Sequence, residues 1–116
     1  MKITVVGCGY VGLVSGACFA SLGNEVGCVD IDAAKIIALN KGRMPIYEPG
    51  LEALIKKGVK QKNLSFTKDL QKSVRNSEIV FIAVGTPPKP NGEADLSFVE
   101  KVASTIAKEI TSYKLI

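Results

Sequence analysis

Residues 2–12 read KITVVGCGYVG, an apolar run that leads into three glycines spaced as GxGxxG. The run from Lys2 to Val6 predicts a short strand. The stretch from Val11 to Leu22 predicts a helix, and Gly23 is suited to its left-handed C-terminal cap. A strand, a glycine turn and a helix in this order are typical of dinucleotide-binding domains with a parallel sheet.

The three glycines of this turn each have a separate physical role. Gly7 permits a tight turn out of the strand, and Gly9 lets a pyrophosphate approach the backbone closely. Gly12 lets the helix lie near the sheet. The N-terminus of the helix then directs free N–H groups and a partial positive charge at the phosphates.

A second predicted strand, Glu25 to Asp30, ends in an acid 18 residues after Gly12. This spacing is close to the roughly 20 residues expected for an acid that binds the adenosine ribose. A carboxylate there can accept hydrogen bonds from both ribose hydroxyls and would repel a 2′-phosphate, so NAD is favoured over NADP. The alternative is that Asp30 only caps the following helix, although Asp32 is better placed for that role.

Lys35 has two interpretations from sequence alone. It lies in the first turn of the helix that Asp32 begins, where it can reach a phosphate or the ribose edge of the adenosine. The other interpretation is a solvated lysine with no ligand.

Length and composition exclude several classes of protein. The 116 residues predict at most one domain, and 47% hydrophobic content predicts a real core. No apolar run reaches the roughly 18 residues that a membrane span requires, and the opening segment does not read as a signal peptide. The net charge is only +4, and the lysines of residues 56–62 have no interleaved aromatics. We therefore expect no membrane partner and no nucleic acid partner.

The three cysteines, Cys8, Cys18 and Cys28, have no metal-ligand spacing, and the chain contains no histidine. An odd number of cysteines beside a nucleotide site indicates a reducing cytoplasm. Cys18 and Cys28 are interpreted as small core residues, and nothing near Cys8 favours a nucleophile. We assign no catalytic residue and no metal ligand.

Helix and strand signals alternate along the chain, which predicts an α/β fold with a Rossmann-type doubly wound parallel sheet. The strand order 3-2-1-4-5 is expected, with the chain truncated near the fifth strand, at Tyr113 to Ile116. Further elements are predicted as helices over 33–41, 49–57, 69–76 and 97–110, with strands over 63–67 and 78–84. Gly58 is expected to end the second of these helices, and Ser97 with Glu100 to cap the last one.

A second loop, Gly85-Thr86-Pro87-Pro88, leaves the carboxyl end of the clearest strand, Glu78 to Val84. Burial on both faces would explain the nearly unbroken apolar character of that strand. Ligands of open α/β sheets bind at this edge, and Thr86 offers a hydroxyl and an N–H toward a cofactor. The alternative is an ordinary turn that the prolines stiffen.

Four stretches carry a resemblance to a known family: residues 2–12, 29–35 (VDIDAAK), 39–51 (LNKGRMPIYEPGL) and 82–96 (IAVGTPPKPNGEADL). Together they resemble the N-terminal domain of the UDP-glucose/GDP-mannose dehydrogenase family, and PIYEPGL favours its UDP-glucose 6-dehydrogenase branch. Such enzymes oxidise C6 of UDP-glucose twice and reduce two NAD to give UDP-glucuronate. The predicted cofactor-binding residues are Gly7, Gly9, Tyr10, Val11, Gly12, Asp30, Lys35, Val84, Gly85, Thr86 and Pro87.

The resemblance also implies what the chain lacks. In the family a catalytic cysteine that forms a thioester, with lysine, asparagine and glutamate partners, lies beyond the first hundred-odd residues. Residues 1–116 are therefore expected to be an incomplete N-terminal dinucleotide-binding domain, without the central and C-terminal domains through which UDP-glucose binds. The fragment is expected to bind NAD without turnover, and the parent enzyme to be a cytoplasmic homo-oligomer.

Other functions fit parts of the same pattern. A regulatory NAD-sensing module of the potassium-channel gating type would share the GxGxxG turn and the terminal acid, but would give PIYEPGL no role. Another NAD-dependent hydroxyacid dehydrogenase would share the first domain.

Overall fold

The structure, a computed structural model, describes residues 1–116. Strands and helices alternate as the hydrophobic pattern predicts. The four strands are β1 (Lys2–Val6), β2 (Glu25–Val29), β3 (Leu64–Thr67) and β4 (Ile79–Ile82). The five helices are α1 (Tyr10–Ser21), α2 (Ala33–Asn40), α3 (Leu51–Lys60), α4 (Leu70–Asn76) and α5 (Ser97–Glu109). None of these helices is long and apolar enough to cross a membrane.

All four strands are parallel, in the order β3-β2-β1-β4. The chain moves outward from β1 through β2 to β3 and then returns to place β4 on the other side of β1. This reversal lies between β1 and β4, whose carboxyl ends are adjacent because Val6 pairs with Ile82. The predicted doubly wound parallel sheet is confirmed.

Two hydrophobic clusters cover the two faces of the sheet, as expected for a doubly wound fold. The larger cluster joins α1, α2 and α3 to one face and contains fourteen residues, among them Leu13, Ala17, Ile36, Leu39 and Ile55. The smaller cluster joins α4 and α5 to the other face through Val6, Val74, Val80 and Ile106. An ion pair between Arg75 Nε and Glu109 Oε2 at 2.5 Å also connects α4 to α5.

The last residues lie beside β4. Leu115 donates its N–H to the carbonyl of Glu78 at 3.0 Å and accepts from the N–H of Val80 at 2.9 Å. It forms a single parallel bridge with Ile79, so the strand predicted at 113–116 is reduced to one paired position. This position is on the side of β4 that the predicted strand order assigns to a fifth strand.

Several expected boundaries were wrong. Gly58 does not end the third helix but lies buried inside it. A Cβ there would come within 2.8 Å of the Leu64 Cβ, so the helix packs closely on β3 at this position. The residue at the N-terminus of that helix is Gly50 with φ +83°, so Pro49 lies outside its first turn.

The ends of α5 and β4 also differ from expectation. No side chain of the predicted capping box caps α5; instead Asp95 Oδ1 accepts from the N–H of Ser97 at 2.9 Å. β4 is not buried on both faces, since Phe81 is 39% exposed. Its ring stacks on Phe19 of α1 with centroids 4.9 Å apart.

Candidate dinucleotide-binding site

Two glycines of the turn between β1 and α1 are required by close backbone packing. Gly7 has φ +107°, and a Cβ there would lie 2.4 Å from the carbonyl oxygen of Ala83, directly after β4. A Cβ on Gly12 would lie 1.7 Å from the carbonyl oxygen of Gly7. The turn is therefore held tightly between the carboxyl ends of the two strands that flank the point of reversal.

Gly9 differs from these two glycines because nothing lies within 4 Å of a Cβ built there. It precedes α1 directly, and its carbonyl accepts the first hydrogen bond of the helix, from Leu13 N at 2.9 Å. The N–H groups of Tyr10, Val11 and Gly12 have no acceptor in the chain. An open surface and three free donors at a helix N-terminus make a place where an anion can bind.

Hydrogen bonds are the larger contribution that this turn can make to the binding free energy of a diphosphate. A bond from an N–H to a charged group contributes about 1.5–3 kcal/mol, whereas the helix dipole contributes about 0.3–1 kcal/mol to an exposed charge. Three free amides thus outweigh the dipole. Their positions depend on the backbone geometry that Gly7 and Gly12 permit.

Asp30, at the carboxyl end of β2, contacts the turn directly. Its Oδ2 accepts from the N–H of Cys8 at 2.8 Å and from Lys35 Nζ at 3.1 Å, and its Oδ1 accepts from the N–H of Asp32 at 2.9 Å. Its side chain is only 11% exposed. Burial opposes ionisation, but these three donors together lower the pKa of the Asp30 carboxyl below its usual value.

The structure separates the roles of the two neighbouring acids. Asp32 caps α2, because its side chain accepts from the N–H groups of Ala34 and Lys35. Asp30 makes no cap of that helix and instead joins it to the glycine turn. Lys35 is not simply solvated, since its ammonium forms an ion pair with Asp30. Sequence reasoning missed both this ion pair and the Cys8 N–H contact, which only the packed fold brings together.

The lowered pKa of Asp30 predicts a specific dependence of stability on pH. The ionised carboxylate contributes to stability above the unfolded-state pKa of about 3.9, and this contribution is lost as the pH falls through the lower folded-state value. Below about pH 4, urea denaturation should therefore show a steeper loss of unfolding free energy for the wild type than for Asp30→Asn. Parallel curves for the two proteins would contradict the contacts assigned to Asp30.

The cysteines do not form a reactive centre. Burial, with a further contribution from the Asp30 carboxylate and opposed by Lys35, raises the pKa of Cys8 to about 12. Burial also raises the pKa of Cys28, and Cys8 adds to the effect. The expectation that Cys18 is a core residue was wrong, because Cys18 is exposed on α1.

Thiol labelling in the native state should distinguish these three cysteines. An aromatic disulfide reagent should modify one thiol per chain, at Cys18, because the other two are buried and protonated. All three should react in denaturant. Fast native labelling of Cys8 would indicate that the glycine turn is more open than the structure shows.

The second predicted loop begins beside the glycine turn, since a Cβ on Gly7 would also lie 3.0 Å from Val84 N. Gly85, Thr86 and Pro87 are exposed, and nothing lies within 4 Å of a Cβ built on Gly85. The loop is braced at its base, where the carbonyl of Pro87 accepts from Asp95 N at 2.8 Å. The two loops therefore form the sides of one open crevice at the carboxyl edge of the sheet.

The Tyr10 side chain is hydrogen-bonded to a residue outside the glycine turn. Its hydroxyl donates to the carbonyl of Tyr47 at 3.1 Å, and its side chain remains about half exposed. This bond joins the N-terminus of α1 to the loop before α3, a contact that sequence reasoning did not predict.

A cavity of about 260 Å³ lies elsewhere, against the face of the sheet that carries Thr4, Gly27 and Ser65. It includes Lys72 and Ser73 of α4 but none of the predicted cofactor-binding residues. Of the predicted residues, Gly7 and Gly12 are buried in the turn, and the exposed ones are on an open surface and not in a closed cavity. A search for cavities alone would therefore not have found this site.

Comparison with known proteins shows which family of domains this chain resembles. The whole chain, residues 1–116, matches the model of the NAD binding domain of the UDP-glucose/GDP-mannose dehydrogenase family. UDP-glucose 6-dehydrogenase TuaD of Bacillus subtilis (strain 168) is 53% identical over 115 residues, which are 99% of this chain and 25% of that protein. GDP-mannose 6-dehydrogenase of Pseudomonas aeruginosa is 46% identical over 106 residues, which are 91% of this chain and 24% of that protein.

Solved structures agree with the sequence comparison. GDP-mannose dehydrogenase from Pseudomonas aeruginosa, in a ternary complex, superposes with a TM-score of 0.92 at 45% identity over 95% of this chain. UDP-glucose dehydrogenase from Pyrobaculum islandicum superposes with a TM-score of 0.88 at 40% identity over 92% of this chain. This chain covers 25% of each of those chains.

The chain thus spans about a quarter of the length of the relatives it matches. Its cofactor is NAD, and the crevice between the two loops has the free amides and the terminal acid that such a ligand requires. The protein belongs to the UDP-glucose/GDP-mannose dehydrogenase family, of which it represents the NAD binding domain.

Proposed function

We propose that this chain is the NAD-binding portion of an enzyme that oxidises C6 of UDP-glucose to UDP-glucuronate and reduces two NAD. The observation that carries the proposal is the set of three unpaired amides beside an open Gly9, with Asp30 fixed next to them. Identities of 53% and 51% to two UDP-glucose 6-dehydrogenases support the choice of sugar nucleotide.

The residues of the chain have distinct tasks in this proposal. The amides of Tyr10, Val11 and Gly12 bind the diphosphate, while the Asp30 carboxylate accepts hydrogen bonding from the adenosine ribose. Thr86 and its neighbours in the second loop form the nicotinamide side of the crevice. When bound, NAD supplies the hydride acceptor. Every group that acts on the sugar belongs to the part of the relatives that this chain does not span.

The isolated chain should therefore bind NAD without oxidising UDP-glucose. Mixing it with NAD and UDP-glucose should produce no absorbance of NADH at a concentration where calorimetry detects NAD binding. The reason is that neither buried cysteine is a competent nucleophile, and that residues 1–116 match only about a quarter of the length of the dehydrogenases they resemble. Measurable turnover would refute the proposal that this chain binds NAD but does not act on the sugar.

A chimera tests the function of the parent enzyme. The chain is joined in place of the matching N-terminal quarter of TuaD, and separately of the Pseudomonas aeruginosa GDP-mannose 6-dehydrogenase. Because the host enzyme supplies the sugar-binding part of each chimera, the rate reports which branch of the family this domain completes. We expect NADH formation with UDP-glucose in the TuaD chimera at a rate well above that of the other chimera with GDP-mannose. Chimeras that bind NAD but turn over neither substrate would contradict the proposal, and a reversed preference would favour a GDP-mannose enzyme.

The potassium-channel gating module is not favoured, because the family match covers the entire chain. The loop that contains Tyr47 also has a structural role, since its carbonyl holds the Tyr10 hydroxyl at the N-terminus of α1. Homo-oligomeric assembly of the parent enzyme and its place in the cytoplasm remain part of the proposal.

A further inference from the structure

The ammonium of Lys35 is the cation that contacts the ribose-binding acid. Lys35 Nζ lies 3.1 Å from Asp30 Oδ2, and the two side chains are only 28% and 11% exposed. No other acidic side chain forms a salt bridge with Lys35. The positive charge at this end of the crevice is therefore matched by one carboxylate.

The same carboxylate already accepts three hydrogen bonds from donors of the chain, of about four that its two oxygens can accept. One oxygen accepts from Cys8 N and Lys35, and the other accepts from Asp32 N. At the start of α2, Asp32 accepts from Ala34 N and Lys35 N, so only the N–H of Ala33 has no acceptor there. Lys35 is thus the cationic side chain beside Asp30 that can bind an additional negative charge.

A lysine ammonium has three N–H donors on a flexible stem, and its ion pair with Asp30 uses one of them. A phosphate on the 2′ position of the adenosine ribose would carry up to two negative charges and several acceptor oxygens. With Asp30 ionised, such a phosphate meets a carboxylate and a lysine that is already neutralised. With the Asp30 charge removed, it would meet an unpaired, partly buried ammonium.

We propose that Lys35 is a masked binding group for a 2′-phosphate, and that the ion pair between Asp30 and Lys35 sets the preference for NAD. Asp30 then has two effects: it repels the phosphate, and it occupies the cation that would otherwise bind it. The proposal rests on the proposed placement of the adenosine ribose at Asp30. It predicts that loss of the Asp30 charge raises the affinity for an adenosine ligand with a 2′-phosphate relative to one without it.

Asp30→Asn is the variant that tests this mechanism. Asparagine keeps the shape of the side chain and one acceptor oxygen for a main-chain N–H, but it leaves Lys35 without its ion pair. The probes are 5′-AMP and adenosine 2′,5′-bisphosphate, whose affinities are measured by calorimetry. The affinity for the bisphosphate relative to 5′-AMP should rise about tenfold or more, as expected for a new charge-assisted hydrogen bond.

The double variant Asp30→Asn/Lys35→Met is the matched control. Methionine keeps an unbranched chain of similar length without the charge, so the gain in affinity for the bisphosphate should disappear. A gain that persists in the double variant would overturn the proposal that Lys35 is the masked group. No gain in Asp30→Asn, while 5′-AMP still binds, would also overturn it. Both results would leave the proposed cofactor site unaffected. If the wild type binds neither adenosine ligand, the proposed cofactor site is wrong and the masking is wrong with it.

Discussion

Replacement of Gly9 by alanine is expected to lower the affinity for NAD at least about tenfold, a loss of roughly 1.4 kcal/mol or more, without destabilising the fold. A Cβ at Gly9 meets no atom of the chain within 4 Å, and its φ of −82° is accessible to alanine. The added methyl group therefore costs the folded protein nothing. It occupies the surface beside the free amides, where the pyrophosphate approaches the backbone in the proposed site.

Calorimetric titration with NAD and thermal unfolding are the two measurements for this variant. Gly27→Ala is the matched control, because its Cβ would make only an ordinary contact with Ser65 Oγ at 3.9 Å, on β2 and away from the crevice. It should bind NAD like the wild type. Normal NAD binding by Gly9→Ala would place the pyrophosphate elsewhere.

Replacement of Gly12 by alanine is expected to have the opposite signature, a large loss of stability. An alanine in place of glycine inside a helix normally stabilises by about 1 kcal/mol. Here a Cβ would lie 1.7 Å from the carbonyl oxygen of Gly7, so the turn or α1 has to move. Backbone overlap of this size outweighs the helix propensity, and unfolding free energy should fall by about 3 kcal/mol or more.

Urea denaturation measures this loss directly. Gly9→Ala should unfold at the wild-type midpoint, and Gly12→Ala at a much lower one, although the two positions are only three residues apart. An unchanged midpoint for Gly12→Ala would show that α1 does not approach the turn as closely as described. The pair thus separates the glycine that the ligand needs from the glycine that the fold needs.

The elements that sequence predicted best are those set by local chemistry. The strand, turn and helix around Gly7 follow from backbone freedom at three glycines, and the start of α2 follows from the Asp32 cap. These features depend on residues that are near one another in the chain. The parallel direction of the strands follows from the alternation of helices and strands, and the order β3-β2-β1-β4 is that of the doubly wound fold that the glycine turn indicates.

The elements that sequence reasoning missed depend on contacts between distant residues. Gly58 looked like a helix stop, but its missing side chain makes room for Leu64 on β3. Cys18 looked like a core residue, but α1 packs through Leu13, Ala17 and Ala20 and leaves Cys18 outside. Both errors come from tertiary packing that overrides a local signal.

The candidate site shows the same division. Its glycines and its terminal acid were readable from spacing, because dinucleotide binding imposes that spacing on the chain. The donors that fix Asp30 were not readable, since Cys8 N is 22 residues away and reaches the carboxylate only in the folded sheet. The masked role proposed for Lys35 depends on that geometry.

Titration of the isotopically labelled chain with NAD, followed by two-dimensional ¹H–¹⁵N NMR, shows directly whether the diphosphate binds at the glycine turn. The amide signals of Tyr10, Val11 and Gly12 should show the largest shifts, since these groups are the proposed donors to the diphosphate, and that of the adjacent Gly9 should shift with them. Saturation with NAD that left these signals unchanged, and instead moved those of Thr4 and Ser65 beside the cavity on the sheet face, would contradict the account.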